Sequence, residues 1–198
     1  SIKDSFKVKI YKNIPLSSGL GGGSSNAAAT IYGLNEMMDL NLDISDMVFL
    51  SKKLGSDIPF FFFGGTCHVS GLGENIEKLN NIFIDKFNLN TINLKINDKT
   101  RKMYGLVEEK NFSKGDKTNY LKKIIMSSNK VLPVDFYNVF FDIAKLNFKE
   151  VNKKSVEMES LFNNCSLSGA GMTLFSISNK HSNLKKYKAV NTGLEVVT

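Results

Sequence analysis

Cysteine and histidine are scarce in this sequence, and their scarcity limits the chemistry that the chain can carry. The two cysteines, Cys67 and Cys165, stand alone without CxxC spacing, and the two histidines are His68 and His181. A disulfide framework or a zinc site needs more of these residues at closer spacing. His68 lies in an apparent strand and is interpreted as a structural or surface residue. We therefore expect neither a disulfide scaffold nor a metal cluster built on imidazole.

Long apolar runs are missing as well. The longest candidate, residues 58–63, is far shorter than the roughly 20 residues that a bilayer-spanning helix needs. We therefore expect no membrane partner. With 198 residues, of which 42% are hydrophobic, the chain suits one domain or two small ones with a real core.

Acidic residues are fewer than basic ones, 19 against 26, which gives a net charge of +7. The excess is scattered lysine, as at Lys185, Lys186 and Lys188, and no basic stripe alternates with aromatic residues. This pattern favours an ordinary solvated surface over a nucleic-acid interface. A positive field also suits an enzyme that acts on anionic substrates.

Glycine is concentrated in one stretch. Four of the five residues from Gly19 to Gly23 are glycines, and Ser24, Ser25 and Asn26 follow as good helix N-caps before three alanines. The pattern predicts a loop that opens into a helix over residues 24–38, whose first turn would hold an anion, most often phosphate. The alternative is an ordinary tight turn. The stretch has no Lys after its last glycine, which excludes a Walker A loop, and its spacing does not give the third glycine of a Rossmann fingerprint.

Three motifs together resemble those of the GHMP kinase superfamily. KNIPLSSGLGGGSSNAAA, residues 12–29, resembles its ATP-binding motif, residues 54–74 resemble the motif around its catalytic aspartate, and SLSGAGMTLFSI, residues 166–177, resembles its C-terminal glycine motif. The resemblance implies an α+β two-lobe fold, with a ribosomal-protein-S5-like N-terminal lobe over residues 1–85, lacking its first strands, and a ferredoxin-like C-terminal lobe over residues 86–198. It also implies ATP and Mg²⁺ as cofactors. The implied ATP-binding residues are Pro15, Leu16, Ser17, Ser18, Gly19, Leu20, Gly21, Gly22, Gly23, Ser24, Ser25 and Asn26.

Asp57 is the candidate catalytic residue. It follows a helix predicted to stop at Gly55 and precedes Pro59, which forbids helix continuation, so it is expected on a loop. The apolar run after it predicts a partly desolvated carboxylate. The alternative is a turn or N-cap aspartate. The resemblance favours a base that accepts the proton of the attacking alcohol.

The remaining site residues follow from the resemblance with open alternatives. Ser24 or Ser25 would reach the metal, or would simply cap the helix. Gly169 and Gly171 would let the backbone approach phosphate or substrate, or would form a plain turn. Thr100 and Tyr104 match a threonine and an aromatic of the substrate pocket by position, although the local text KINDKTRKMY departs from the usual proline-containing form.

The coarse secondary structure supports an α+β class. Alternation predicts strands at residues 7–11, 66–70, 91–96 and 172–177, and apolar spacing predicts helices at 119–128, 135–147 and 152–163. A short helix at 182–188 and a strand at 194–197 complete the prediction.

Within the superfamily, the triple glycine before Ser-Ser-Asn most resembles the kinases of the non-mevalonate isoprenoid pathway. These phosphorylate the C2 hydroxyl of a cytidine diphosphate-linked methylerythritol. The alternatives are a homoserine or mevalonate type of kinase and a catalytically silent nucleotide-binding module. The sequence leaves the oligomeric state open.

The sequence begins at Ser1 without an initiator Met. In the resembled family a lysine-bearing segment comes earlier, so we expect the chain alone to be inactive or severely impaired. Its Asn, Lys, Ile and Phe content indicates an A/T-rich genome, and its motifs resemble plastid versions. We therefore expect a plastid-type organelle, an apicoplast or chloroplast, with bacterial cytoplasm as the alternative.

Overall fold

The computed structural model describes residues 6–82, 84, 86–92, 94, 98–128, 131–177 and 185–188. These residues form two compact units. One comprises the described residues up to Leu16 together with Gly21–Glu77, and the other comprises Ser17–Leu20 and the described residues from Lys78 onward. The four-residue segment Ser17–Leu20 therefore belongs to the second unit, although the chain on both sides of it belongs to the first.

The first unit consists of three helices followed by a two-stranded sheet. Helix α1 spans Gly22–Met37, α2 spans Ile44–Ser51 and α3 spans Phe60–Phe63, and strands β1 (Cys67–Ser70) and β2 (Asn75–Lys78) pair with each other. A capping box starts α2, in which Asp43 accepts from the backbone of Asp46 and Asp46 accepts from the backbone of Asp43. The core is small and is formed by Ala28, Met47, Ile58 and Phe62.

The second unit is built on a four-stranded antiparallel sheet. Its strands are β3 (Lys86–Thr91), β4 (Ser166–Leu167), β5 (Thr173–Ile177) and β6 (Lys185–Lys188), in the order β4-β5-β3-β6. Its helices are α4 (Lys99–Gly105), α5 (Asp116–Ser128), α6 (Val139–Asn147) and α7 (Lys149–Phe162), with short 3-10 turns at Glu109–Asn111 and Pro133–Asp135.

The core of the second unit lies where α4, α6 and α7 pack near the sheet. Its buried members come from all of these elements and are Met103, Ala144, Val151, Met158, Phe162, Leu167, Met172 and Leu174. At the end of the ladder Thr91 stands opposite Thr173, and their hydroxyls are 3.0 Å apart. The extended segment leading to Thr173 is thereby fixed against the central strand.

The predicted α+β class is confirmed, and several element predictions need correction. Residues 7–11 form no strand, since no described segment pairs with them, and Val8 and Ile10 are exposed. The described strand β3 runs over Lys86–Thr91 and overlaps the strand predicted at 91–96 only at Thr91, and residues 93, 95 and 96 of that prediction lie outside the described residues. Lys185–Lys188 is a strand paired with β3 rather than part of a helix, because pairing overrides local helical spacing. The strand predicted at 194–197 lies outside the described residues.

The predicted boundary between residues 85 and 86 stays a prediction about the family's lobes. Among the described residues, none of the helices has the length and apolar character needed to cross a bilayer.

Candidate functional site

The N-terminus of α1 presents three backbone N–H groups that no described residue accepts. Gly21 is the N-cap in the left-handed region at φ 67°, and no side chain in the described part of the chain caps the helix. The first amide to bond within the helix is that of Ser25, which donates to the Gly21 carbonyl at 2.9 Å. The N–H groups of Gly22, Gly23 and Ser24 are thus available to an anion, in the positive end of a 16-residue helix. The helix begins two residues before its predicted start.

The three glycines at this helix end differ in what a side chain at their position would contact. A Cβ on Gly21 would lie 2.6 Å from the Cζ atom of Phe61, and one on Gly22 would lie 2.8 Å from Cγ2 of Ile14. A Cβ on Gly23 would meet no atom of the described residues within 4 Å. Protein packing therefore explains Gly21 and Gly22, whereas Gly23 leaves open space beside the free amides.

Polar side chains flank this helix end. The Ser25 hydroxyl donates to the Gly22 carbonyl at 3.3 Å, so it is used within the first turn. The Ser24 hydroxyl has no hydrogen bond among the described residues and stays available to a ligand or metal. Lys12, which sequence reasoning gave no role, donates from Nζ to the Gly22 carbonyl at 2.9 Å and brings a positive charge to the same turn.

Asp57 lies in the turn that leads into α3. The turn is closed by the Ile58 N–H, which donates to the Gly55 carbonyl at 3.2 Å, and Ile58 is buried. The Asp57 side chain is exposed, so the expectation of a partly desolvated carboxylate is wrong for this structure. Of the apolar residues that follow, Ile58, Pro59 and Phe62 are buried, and none of them covers the carboxylate enough to bury it. Because the Phe61 ring packs against Gly21, the segment that carries Asp57 is fixed next to the N-terminus of α1.

A second tight turn holds the residue before Asp57. Gly73, at φ 99°, lies so close to the Ser56 carbonyl oxygen that a Cβ would overlap it. The Glu74 carboxylate secures this turn, since it accepts from the Leu72 N–H at 2.6 Å and lies 3.9 Å from Lys52 Nζ. The backbone N–H groups of Glu74 and Leu72 lower the pKa of that carboxyl.

In the second unit the C-terminal glycine motif packs directly on Ser17–Leu20. The Ser168 hydroxyl donates to the Gly19 carbonyl at 2.8 Å, and the Thr173 N–H donates to the Ser18 carbonyl at 3.1 Å. Gly171 is buried, and a Cβ there would overlap the backbone nitrogen of Gly19. This backbone crossing accounts for the glycine at 171. The substrate-binding role of Gly169 and Gly171 stays a prediction.

The predicted substrate residues Thr100 and Tyr104 lie on α4 and are exposed. The Tyr104 ring contacts the Phe140 ring edge-on, with 4.9 Å between centroids. Both residues line a cavity of about 640 Å³ that Ser17 also lines. The structure thus brings one residue of the predicted ATP-binding set together with two of the predicted substrate set. Lys99 in the same lining was not predicted, because its burial depends on tertiary packing that no local pattern encodes.

No described group of three His, Cys, Asp or Glu side chains could hold a metal ion. A magnesium ion here would take most ligands from phosphate oxygens and water, as Mg²⁺ commonly does at nucleotide sites, and the Ser24 hydroxyl fits as a single protein ligand. Burial raises the pKa of the Cys165 thiol to about 12, and the Cys67 thiol donates to the Gly64 carbonyl at 3.4 Å.

Comparison with known proteins gives a consistent result. The family model for the GHMP kinases N terminal domain matches residues 1–65. The chain is similar to 4-diphosphocytidyl-2-C-methyl-D-erythritol kinase of Prochlorococcus marinus (strain MIT 9515), with 39% identity over 85% of the chain and 57% of the relative. It is also similar to the enzyme of the same name from Thermosipho africanus (strain TCF52B), with 30% identity over 96% of the chain and 67% of the relative.

A crystal structure of 4-(cytidine 5'-diphospho)-2C-methyl-D-erythritol kinase has the same fold. The superposition gives a TM-score of 0.69 at 24% identity and covers 85% of this chain and 60% of that one. The expected two-lobe GHMP kinase fold is thereby confirmed. The chain spans 57% of the length of the Prochlorococcus relative.

Proposed function

The chain belongs to the 4-diphosphocytidyl-2-C-methyl-D-erythritol kinase family of GHMP kinases, and from that premise we propose that this protein phosphorylates the C2 hydroxyl of 4-diphosphocytidyl-2-C-methyl-D-erythritol with ATP. The observation that carries the proposal is the pairing of two features in the first unit. Three free amides at the start of α1 stand beside the open space at Gly23, and Phe61 fixes the Asp57 segment against the same helix end.

The amides of Gly22, Gly23 and Ser24 would bind the phosphates of ATP. Amide dipoles and the helix N-terminus stabilise negative charge without rearranging during the reaction. The Ser24 hydroxyl would hold Mg²⁺, which when bound neutralises charge on the transferred phosphoryl group. Lys12 would add a positive charge close to the β- and γ-phosphates.

Asp57 would act on the acceptor alcohol. Its carboxylate would accept the hydroxyl proton as the alcohol oxygen bonds to the γ-phosphorus and the bond from that phosphorus to the bridging oxygen breaks, which releases ADP. The Gly73 contact with Ser56 and the Phe61 contact with Gly21 would hold Asp57 in position. Thr100, Tyr104, Gly169 and Gly171 stay the proposed substrate-binding residues.

The test is an ADP-release assay on the protein carrying this chain together with any coding sequence upstream of Ser1. Turnover with the cytidylyl substrate is expected, and turnover of homoserine or mevalonate instead would overturn the acceptor. No turnover of any acceptor, with ATP still bound, would favour the catalytically silent module.

The role of Asp57 has its own test. Asp57→Asn is expected to reduce kcat by about 10²-fold or more, with ATP affinity nearly unchanged. Asp39→Asn is the matched control, because Asp39 is exposed and sits at positive φ, which asparagine accepts. Full activity in Asp57→Asn would show that the Asp57 carboxylate is not needed for the reaction.

We infer a plastid-type organelle as the site of this activity. The support is the composition rich in Asn, Lys, Ile and Phe. The relatives named above are bacterial, one of them cyanobacterial, and are consistent with bacterial cytoplasm as the alternative. A transit peptide in the upstream reading frame would support the organelle, and its absence would favour the alternative.

A further inference from the structure

Lys99 is a buried lysine that has no counter-ion among the described residues. It is only 6% exposed, at the start of α4 in the second unit. Within the described part of the chain it makes neither a hydrogen bond nor an ion pair, and burial lowers its pKa. A buried cation that lacks a partner is costly, and a methionine of similar length would fill the same space without that cost. The charge at this position therefore calls for an explanation.

The cavity beside Lys99 supplies one. Its volume is about 640 Å³, within the range of small-molecule sites, and its lining is Ser17, Asp98, Lys99, Thr100, Arg101 and Tyr104. Two of these side chains are cationic and three carry hydroxyls, which are the donors that phosphate oxygens prefer. Arg101 is exposed and, like Lys99, has no ion pair among the described residues.

One carboxylate belongs to the same lining and reduces its charge. Asp98 is exposed at φ 49° and forms no ion pair with Lys99 within 4.0 Å. The lining keeps a net positive charge of one. An anion that reaches the cavity would meet both cations, and its binding would offset the desolvation of Lys99.

We propose that Lys99 and Arg101 form a binding site for a phosphate or diphosphate group. This inference deepens the proposed function, since the acceptor of that reaction carries a diphosphate, and it rests on that function only for the source of the anion. A free inorganic anion would offer the same chemistry. The site itself stands on the cavity and its two cations.

The test is an NMR titration of the ¹⁵N-labelled chain with inorganic pyrophosphate. Saturable shifts are expected in the amides of α4, and Lys99→Met should weaken them at least tenfold in apparent Kd. Lys102→Met is the matched control, because Lys102 lies on the same helix, is exposed and does not line the cavity. Pyrophosphate shifts in α4 that persist in Lys99→Met, or that Lys102→Met weakens equally, would overturn the site.

Three further measurements distinguish the possible outcomes. Arg101→Met should also weaken the α4 response, and unchanged binding in that variant would overturn its part even if Lys99→Met failed to fold. The NMR shifts of the Gly22, Gly23 and Ser24 amides report on the first unit separately. If these amides show no shift while those of α4 still respond, the proposed ATP site is overturned and the Lys99 site is not. Tighter binding of cytidine diphosphate than of pyrophosphate supports a nucleotide-linked source, and equal binding supports a free anion.

Discussion

The glycines of one short stretch are used in opposite ways in the two units. Gly19, in the second unit, is pressed against the backbone of Ser168 and Gly171, where no side-chain movement could make room for a Cβ. Gly23, in the first unit, faces open space next to unbonded amides. The comparison teaches that a glycine-rich motif is not uniformly a ligand cradle. Part of it is required by backbone packing, and only the part without a protein neighbour is left for a ligand.

Gly19→Ala should have the largest effect on stability. The new Cβ would overlap a backbone carbonyl at a residue with φ 81°, so both a clash and a left-handed conformation would be imposed. We expect a loss of about 4 kcal/mol in the free energy of unfolding. Urea denaturation followed by circular dichroism measures it, since the chain has no tryptophan.

Gly33→Ala is the control for that measurement. Gly33 lies within α1 with no atom of the described residues within 4 Å of its Cβ position, and alanine there should stabilise the helix by about 0.5–1 kcal/mol. A loss below about 1 kcal/mol in Gly19→Ala would show that the crossing can relax, because overpacking alone usually costs 1–3 kcal/mol.

Gly73→Ala should have the next largest effect, a loss of about 3 kcal/mol in the free energy of unfolding. Gly73 has φ 99°, and a Cβ there would overlap the Ser56 carbonyl. It should also displace Asp57, so kcat should fall while ATP affinity is retained. Gly115→Ala is the matched control. Gly115 also has positive φ, at 80°, but its Cβ would meet only the Asn119 amide nitrogen at 3.9 Å, and it lies outside this turn. Equal losses of kcat in the two variants would argue against a positioning role for Gly73.

Ser168→Ala should cost about 1 kcal/mol, because it removes the 2.8 Å hydrogen bond to the Gly19 carbonyl. Thermal unfolding of the variant measures the loss. Ser127→Ala, on an exposed helix face, should stay within about 0.5 kcal/mol of the parent. Indistinguishable melting of the two variants would mean that the Ser168 bond adds nothing to the crossing.

Gly23→Ala should have the smallest effect on stability and the sharpest effect on binding. Alanine favours a helix where there is space for its methyl group, so the free energy of unfolding should rise by at most about 1 kcal/mol. A methyl group beside the free amides should weaken ATP binding about tenfold or more, as measured by calorimetry. Unchanged ATP affinity would show that ATP does not occupy the open space at Gly23.

Sequence reasoning reached the elements whose signals are local. The glycine-rich loop opening into a helix, the loop position of Asp57 and the long helix α7 could all be predicted, because caps, breakers and apolar spacing encode them. Two elements were predicted wrongly. The alternation at residues 7–11 indicated a strand, but a strand needs a partner, and Lys185–Lys188 forms a strand because β3 supplies one.

The individual contacts of the candidate site could not be predicted from the sequence. No local signal distinguishes Gly23 from Gly22, since the difference depends on where Ile14 lies in three dimensions. The exposure of Asp57 and the burial of Lys99 likewise depend on which segments pack around them. Resemblance to a family supplied roles for Gly22, Gly23 and Asp57 but none for Lys99, and the contacts around these residues depend on the folded structure.

The hydrogen bond from Ser168 to Gly19 joins residues 149 positions apart in sequence. Closing so long a stretch of chain costs conformational entropy before the contact can form, so we expect this crossing to form late in folding. A gene divided after residue 77 would leave Ser17–Leu20 on the wrong fragment. The two units therefore cannot be exchanged independently between relatives. We expect a recombinant to fold only when the segments that carry Gly19 and Ser168 come from the same parent.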